Sequence, residues 1–414
     1  MFPQDKMVSD LVEKRKNELI ELASKLIQIP SVNPPGDVSE LAYFIKDYLS
    51  NYGISTETYE PEKNRITVIG KVGKKNGRTL IFNGHMDTVP IGDRNRWSFD
   101  PFSGKVVNNI LYGRGACDMK GGLAALMFAQ ILLTKFENEI NGRLLLMAVP
   151  DEETGSAYGT KWCLENDIVK GDACVLGEPS LLKLCRIGEK GWFVFKMVTE
   201  GKIAHGSTPM LGENAILKML NVVMRLQELT KKKVKVPQEY EEIIEQSKNF
   251  LAEVTGNSAV GDVLDHLTMN FGVIRGGVKV NVVPDRCEME VDCRIPVGLT
   301  VSEVLAQINK AISDIKGVRV EVINATDPTV TSPKEEIVQI LYEKASKLTE
   351  ERPILYIQQS ATDARFFRLK GIPAFSYGPG NGIKYAHAYN EQVHVKEIIN
   401  AAKVYLATAL SYLK

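Results

Sequence analysis

Apolar positions recur at helical spacing early in the chain and then give way to short continuous runs. Between Val8 and Gln28, the residues Leu11, Val12, Leu19, Leu22, Ala23 and Leu26 share one face, which predicts a helix ending before Pro30. Ser39–Asn51 predicts a second helix, stopped at Gly53. Arg65–Val72 and Arg78–Phe82 are β-type runs, Gly121–Phe136 reads as a buried helix, and Arg143–Val149 and Ala173–Leu176 as further strands. Strands alternating with helices predict a three-layer α/β/α sandwich.

From Gly191 the rhythm changes. Trp192–Val198, Leu267–Ile274, Arg286–Arg294 and Val318–Ile323 read as strands, with helices over Leu211–Leu229 and Val301–Ile315. This βαββαβ order is that of a ferredoxin-like α+β unit, interrupted by a charged insertion, residues 231–262, expected to be an exposed helix with loops. After Pro328 the α/β pattern returns, with helices over Glu335–Leu348 and Val395–Leu413 and strands over Ile354–Ile357 and Pro373–Tyr377. The expected organisation is one α/β domain (1–190 and 329–414) carrying an inserted domain (191–328). A chain of 414 residues exceeds one ordinary core, which agrees.

Charge narrows the function classes. Lys+Arg and Asp+Glu are 51 each, so no net field draws the chain to nucleic acid or to an anionic membrane. The longest apolar stretch, Gly121–Leu133, is too short to span a bilayer, and Met1–Glu18 is charged and unlike a signal peptide. Six cysteines without Cys-x-x-Cys spacing argue against a disulfide scaffold or a thiolate metal site, so a cytoplasmic protein is expected.

Chemistry concentrates where the apolar runs end. His85 and Asp87 follow Thr79–Phe82, and Asp151, Glu152 and Glu153 follow Leu144–Val149. Glu178 follows Ala173–Leu176 in the same way. Carboxyl ends of strands are where open α/β sheets place their sites, and imidazole with carboxylate is a zinc-type ligand set. Each segment also has a plainer reading: a turn histidine, a solvated acidic turn, or Asp118 capping the helix after Gly113-Arg114-Gly115. His205 and His387 lie in loops and stay open between a structural and a chemical role; His266 and His394 read as structural. Neither a His-Glu-x-x-His helix nor a Gly-x-Ser-x-Gly elbow is present.

In this order the segments resemble the dinuclear zinc metallopeptidase and amidohydrolase family that includes succinyl-diaminopimelate desuccinylase, acetylornithine deacetylase, aminoacylase and glutamate carboxypeptidase. The resemblance covers nearly the whole chain. It implies two divalent metal ions, zinc with cobalt or manganese able to substitute. Asp118 would bridge them, its link to Met119 cis, with His85 and Glu178 on one metal and Glu153 and His387 on the other. Asp87 would orient His85, and Glu152 would be the general base toward a hydroxide shared by the metals. The inserted domain would form a homodimer and offer His205 to the partner's site. Asn281, Arg294, Ser360, Thr362, Gly378 and Gly380 would contact substrate, Arg294 through a two-bond grip on a carboxylate. The implied reaction is hydrolysis of the amide bond of an N-acyl amino acid. The alternatives are a carboxypeptidase or dipeptidase on the same centre, or a non-catalytic homologue that uses the fold for binding.

Overall fold

The computed structural model describes residues 3–349 and 351–414. The chain divides into two compact units. The first runs up to Ile187 and resumes over Thr331–Leu355 and Thr362–Lys414; the second comprises Gly188–Val330 and Tyr356–Ala361. An insertion was expected, but Tyr356–Ala361 was expected to belong to the returning α/β segment. It joins the inserted unit because the Ile357 N–H donates to Ser247 Oγ (3.1 Å) and the Tyr356 ring meets Phe250 edge-on at 5.9 Å.

In the first unit, neighbouring strands run in the order Ser55–Glu62, Arg65–Gly73, Arg143–Val149, Thr79–His85, Ala173–Leu176, Ala374–Ser376 and Leu184–Glu189. Thr79–His85 lies parallel to both of its neighbours, and Ala374–Ser376 is parallel to Ala173–Leu176. These central strands are buried on both faces, as their continuous apolar runs require. The outer pairings are antiparallel. Ser55–Glu62 escaped the apolar reading because it is a polar edge strand with little buried surface.

Helix Lys120–Leu133 is buried along its entire length and packs against Val395–Tyr412 and Lys16–Gln28. Gly122 permits this: a Cβ there would lie 2.0 Å from the carbonyl oxygen of Gly177. The single helix expected over Val8–Gln28 is two helices, Pro3–Lys14 and Lys16–Gln28, broken at Arg15. Arg15 turns back to bind Glu18 (2.9 and 2.6 Å) and lies over the Phe128 ring. That arrangement is invisible to periodicity.

The second unit holds a four-stranded antiparallel sheet in the order Thr268–Gly276, Arg286–Ile295, Gly191–Glu200, Val318–Thr326. Helices Ala215–Thr230 and Val301–Ile312 supply the βαββαβ connectivity expected. The charged insertion forms helix Gln238–Thr255, which is not simply exposed: Ile243, Ile244, Ser247 and Leu251 are buried. Lys190 anchors the segment that follows, donating to the carbonyl of His266 (2.9 Å). Among the described residues, no helix is long and apolar enough to cross a membrane.

Candidate metal centre

Three parallel strands deliver the first ligand candidates at their carboxyl ends. His85 is the last residue of its strand, Glu178 lies two residues past Leu176, and Asp151–Glu153 begin two residues past Val149. Asp118 enters from the turn before the buried helix, and His387 from the loop before strand Gln392–His394. The Asp118–Met119 peptide is cis.

These residues form two donor groups with one member in common. His85, Asp118 and Glu178 bring ligand atoms within 4.8 Å of one another, and so do Asp118, Glu153 and His387. Asp118 divides its oxygens between them: Oδ1 lies 3.1 Å from His85 Nε2, and Oδ2 lies 3.5 Å from His387 Nε2. His85 Nε2 is 3.7 Å from Glu178, and His387 Nε2 is 3.1 Å from Glu153.

The tautomer of His85 follows from its other nitrogen. Nδ1 sits 2.9 Å from the main-chain oxygen of Asp87, which only accepts, so Nδ1 carries hydrogen and Nε2 is the nitrogen directed at the acids, where a metal would take the place of its proton. The Asp87 carboxylate, expected to orient His85, lies near the same nitrogen. It sits 3.5 Å from Nδ1 and also accepts from Asn33 Nδ2 (2.8 Å) and from the backbone N–H groups of Glu152 (3.1 Å) and Glu153 (3.3 Å). Asp87 therefore meets His85 through both its carbonyl and its carboxylate, and the same carboxylate shapes the acidic turn.

The electrostatics describe a cluster in need of cations. Burial, with Glu178 next to it, pushes Glu152 well above the usual carboxylate range. Burial raises Glu178 to about 8 and also raises Glu153. His387 is raised to about 9, chiefly by its hydrogen bond to Glu153. Crowded carboxylates resist ionising together, and divalent cations remove that penalty. Nitrogen and oxygen donors in two groups of three suit zinc and its first-row neighbours. Among the described residues Glu152 belongs to neither group, and it stands close enough to Glu178, His85 and Glu153 to feel their charges.

Other expected site residues fall as follows. Gly378 packs on the turn of Glu178, where a Cβ would meet the Gly177 oxygen at 2.3 Å, and Gly380 N–H donates to Glu397 (2.6 Å). Thr362 belongs to the first unit and Ser360 to the second. His205, Asn281 and Arg294 also lie in the second unit. His205 is exposed, its Nδ1 2.7 Å from Ser207 Oγ. The Asn281 carbonyl accepts from Gly206 N–H (2.8 Å), which ties the two loops together. The Arg294 guanidinium is paired with Asp292 (2.8 and 3.1 Å) and lies over Trp192. A third acidic group, Asp262, Asp265 and His266, already surrounds a cation: Lys248 Nζ lies 3.1 Å from Asp262 and 2.7 Å from Asp265.

Sequence reasoning passed over several supporting residues. Asn33 also donates to Thr154 Oγ1 (2.9 Å). Buried Asp363 accepts from the hydroxyls of Ser156 and Thr160 beneath the acidic turn. Lys120, fully buried, donates to the carbonyls of Leu26 (3.0 Å) and Ile29 (2.8 Å). Glu391 and Arg114 pair at 2.6 Å. Only the closeness of Glu391 to His387 offered any signal.

Fold and donor set together define an α/β protein with a candidate two-metal site. The chain belongs to peptidase family M20/M25/M40, whose sequence profile matches residues 81–411, and it is a hydrolytic enzyme acting on amide bonds. It is 29% identical to the succinyl-diaminopimelate desuccinylase of Ehrlichia canis, over 93% of this chain and 96% of that one. It is 27% identical to the N-formyl-4-amino-5-aminomethyl-2-methylpyrimidine deformylase of Bacillus subtilis, over 97% and 96%. The fold matches the M20 family metallo-carboxypeptidase Sso-CP2 from Sulfolobus solfataricus with a TM-score of 0.79 at 22% identity, covering 95% of this chain and 99% of that one.

Proposed function

We propose that this enzyme is a two-metal deacylase that hydrolyses the amide bond of an N-acyl amino acid or a related small N-acyl amine. The observation that carries the reading is the division of Asp118: each oxygen serves a different donor group, and Glu152 stands beside both with no ligand duty. His85 and Glu178 would hold one metal, Glu153 and His387 the other, with zinc the physiological ion and cobalt or manganese able to replace it. Such a pair supplies Lewis acidity to the amide carbonyl and lowers the pKa of water to roughly 7.

The chain's own groups do the rest. Glu152 accepts the proton of the attacking water as its oxygen bonds to the carbonyl carbon. Its burial keeps its proton affinity high enough for that task. The same carboxyl group then returns the proton to the departing nitrogen as the C–N bond breaks, giving a carboxylic acid and a free amine. Asp87 holds the backbone of Glu152 throughout.

Two relatives at 27% and 29% identity are named for removing formyl and succinyl groups, which favours deacylation over peptide cleavage. We assign homodimerisation to the inserted unit, where His205 would be offered to the second copy. Helix Ala215–Thr230 buries Met219, Val222 and Leu226, yet leaves Leu217 (63%), Leu220 (49%) and Met224 (67%) exposed on a second stripe. An exposed apolar stripe of this kind supports that assignment. The function is tested by loading the enzyme with zinc or cobalt and assaying N-succinyl, N-acetyl and N-formyl amino acids against dipeptides and longer peptides. Acyl substrates should turn over fastest; faster cleavage of peptides would move the enzyme to the carboxypeptidase or dipeptidase class.

A further inference from the structure

The loop that carries His387 is tied down beyond the histidine, where Asp93 N–H donates to the Tyr389 hydroxyl (3.2 Å), Ser98 N–H donates to Asn390 Oδ1 (2.6 Å) and Arg96 lies over the Tyr389 ring. His387 (φ 60°) and Asn390 (φ 55°) both adopt the left-handed backbone region, which a non-glycine residue enters only when its surroundings impose it. The side chain of His387 is half exposed. Its position must be set from elsewhere, and the next buried residue is Glu391.

Glu391 is 1% exposed and accepts four hydrogen bonds, all from one segment. Arg114 Nη1 (2.6 Å) and Gly115 N–H (3.0 Å) donate to Oε2, while Cys117 N–H (3.0 Å) and Asp118 N–H (2.9 Å) donate to Oε1. The main-chain oxygen of Glu391 takes Gly113 N–H as well (3.0 Å). Arg114 completes the wrap by donating to the carbonyls of Ala388 (3.3 Å) and Pro90 (3.2 Å). The turn that presents Asp118 is therefore folded around a single carboxylate from the His387 loop.

We propose that Glu391 is a positioning residue: it locks the Asp118 turn to the His387 loop and so sets the metal site formed by Asp118, Glu153 and His387. The proposal rests on the two-metal reading above. The other site feels this lock only through the shared Asp118, because its two remaining ligands are fixed independently. His85 is part of a central strand with its ring fixed by the Asp87 carbonyl, and the turn of Glu178 is packed against Gly122 and Gly378. Removing Glu391 should therefore affect the two sites unequally. The four donors also explain why the residue is an acid. An amide would offer them one oxygen and turn its own N–H groups toward the others.

The test is a titration of metal-free protein with Co2+, followed by calorimetry and visible absorption, for wild type, Glu391→Gln and Arg114→Met. Wild type should take up two equivalents. Glu391→Gln should keep the tighter site within about threefold and weaken the second by about 10–100-fold, the usual cost of losing a ligand-orienting partner. Its kcat should recover as Co2+ is raised, with KM unchanged. Arg114→Met, which leaves the carboxylate and its three backbone donors, should shift the same site by less, and it decides the matter if Glu391→Gln does not fold. Two wild-type-like sites in these variants, or equal weakening of both sites, would overturn the proposal. A wild-type protein that binds fewer than two ions would instead remove the two-metal reading beneath it.

Discussion

Replacing Glu152 by Gln isolates the proton-transfer function from metal binding. The substitution preserves volume, and neither donor group loses an atom, because Glu152 belongs to neither. The turn stays in place, since Asp87 holds it through the backbone N–H groups of residues 152 and 153 (3.1 and 3.3 Å). What disappears is the proton acceptor. A positioned general acid–base group contributes about 10²–10⁴-fold, which at about 1.36 kcal/mol per decade is roughly 3–5 kcal/mol of barrier. We expect kcat to fall by that factor while KM and the bound metal hold at wild-type values. Glu153→Gln is the contrast, because it takes a charge out of the group with His387 and should lower metal content first. The assay is steady-state hydrolysis of an N-acyl amino acid, with metal measured by elemental analysis on the same sample. A Glu152→Gln enzyme with both metals and a kcat within threefold of wild type would refute the assignment of the base.

Three further outcomes follow from the same geometry. Asp87→Ala strands the backbone donors of Glu152 and Glu153, while Asn33 keeps Thr154; at about 1–3 kcal/mol per orphaned group the metal-free protein should lose roughly 2–6 kcal/mol, and a loss below about 1 kcal/mol in chemical denaturation would contradict the network. Because the hydrogen bond to Glu153 raises His387 to about 9, this ring carries a proton below that pH and must release it before binding metal. Affinity at its site should therefore rise about tenfold per pH unit from 7 toward 9 and then level off; a flat profile in calorimetric titrations at several pH values would exclude proton competition. Finally, Leu217→Glu combined with Met224→Glu places charge on the exposed stripe of helix Ala215–Thr230, and sedimentation should show a dimer for the parent chain and monomers for the variant; a dimeric variant would locate the interface elsewhere, and a monomeric parent would refute the proposed dimer.

The chain's pattern reported some features far better than others. The strands that end in His85, Val149 and Leu176 were legible because they are buried on both faces, and burial writes a continuous apolar run. Ser55–Glu62 left no such trace, because an edge strand is defined by its neighbour's hydrogen bonds and not by its own side chains. The break at Arg15 was hidden for a similar reason: apolar spacing continues across it while the backbone turns. In the site, residue type and strand-end position pointed to His85, Glu152, Glu153 and Glu178, and the family resemblance added the order that links them with Asp118 and His387.

Local sequence thus determined which segments are buried and which chemical groups stand at their ends, because periodicity and side-chain type are properties of neighbouring residues. Tertiary structure alone decided how those groups are shared. It gave each oxygen of Asp118 to a different histidine and brought the Asp87 carboxylate to the backbone of the acidic turn as well as near the ring of His85. It also folded Gly113–Asp118 around Glu391, some 270 residues further along the chain. Hydrogen bonds between such distant residues depend on where the backbone brings them, and no local pattern in the chain records that.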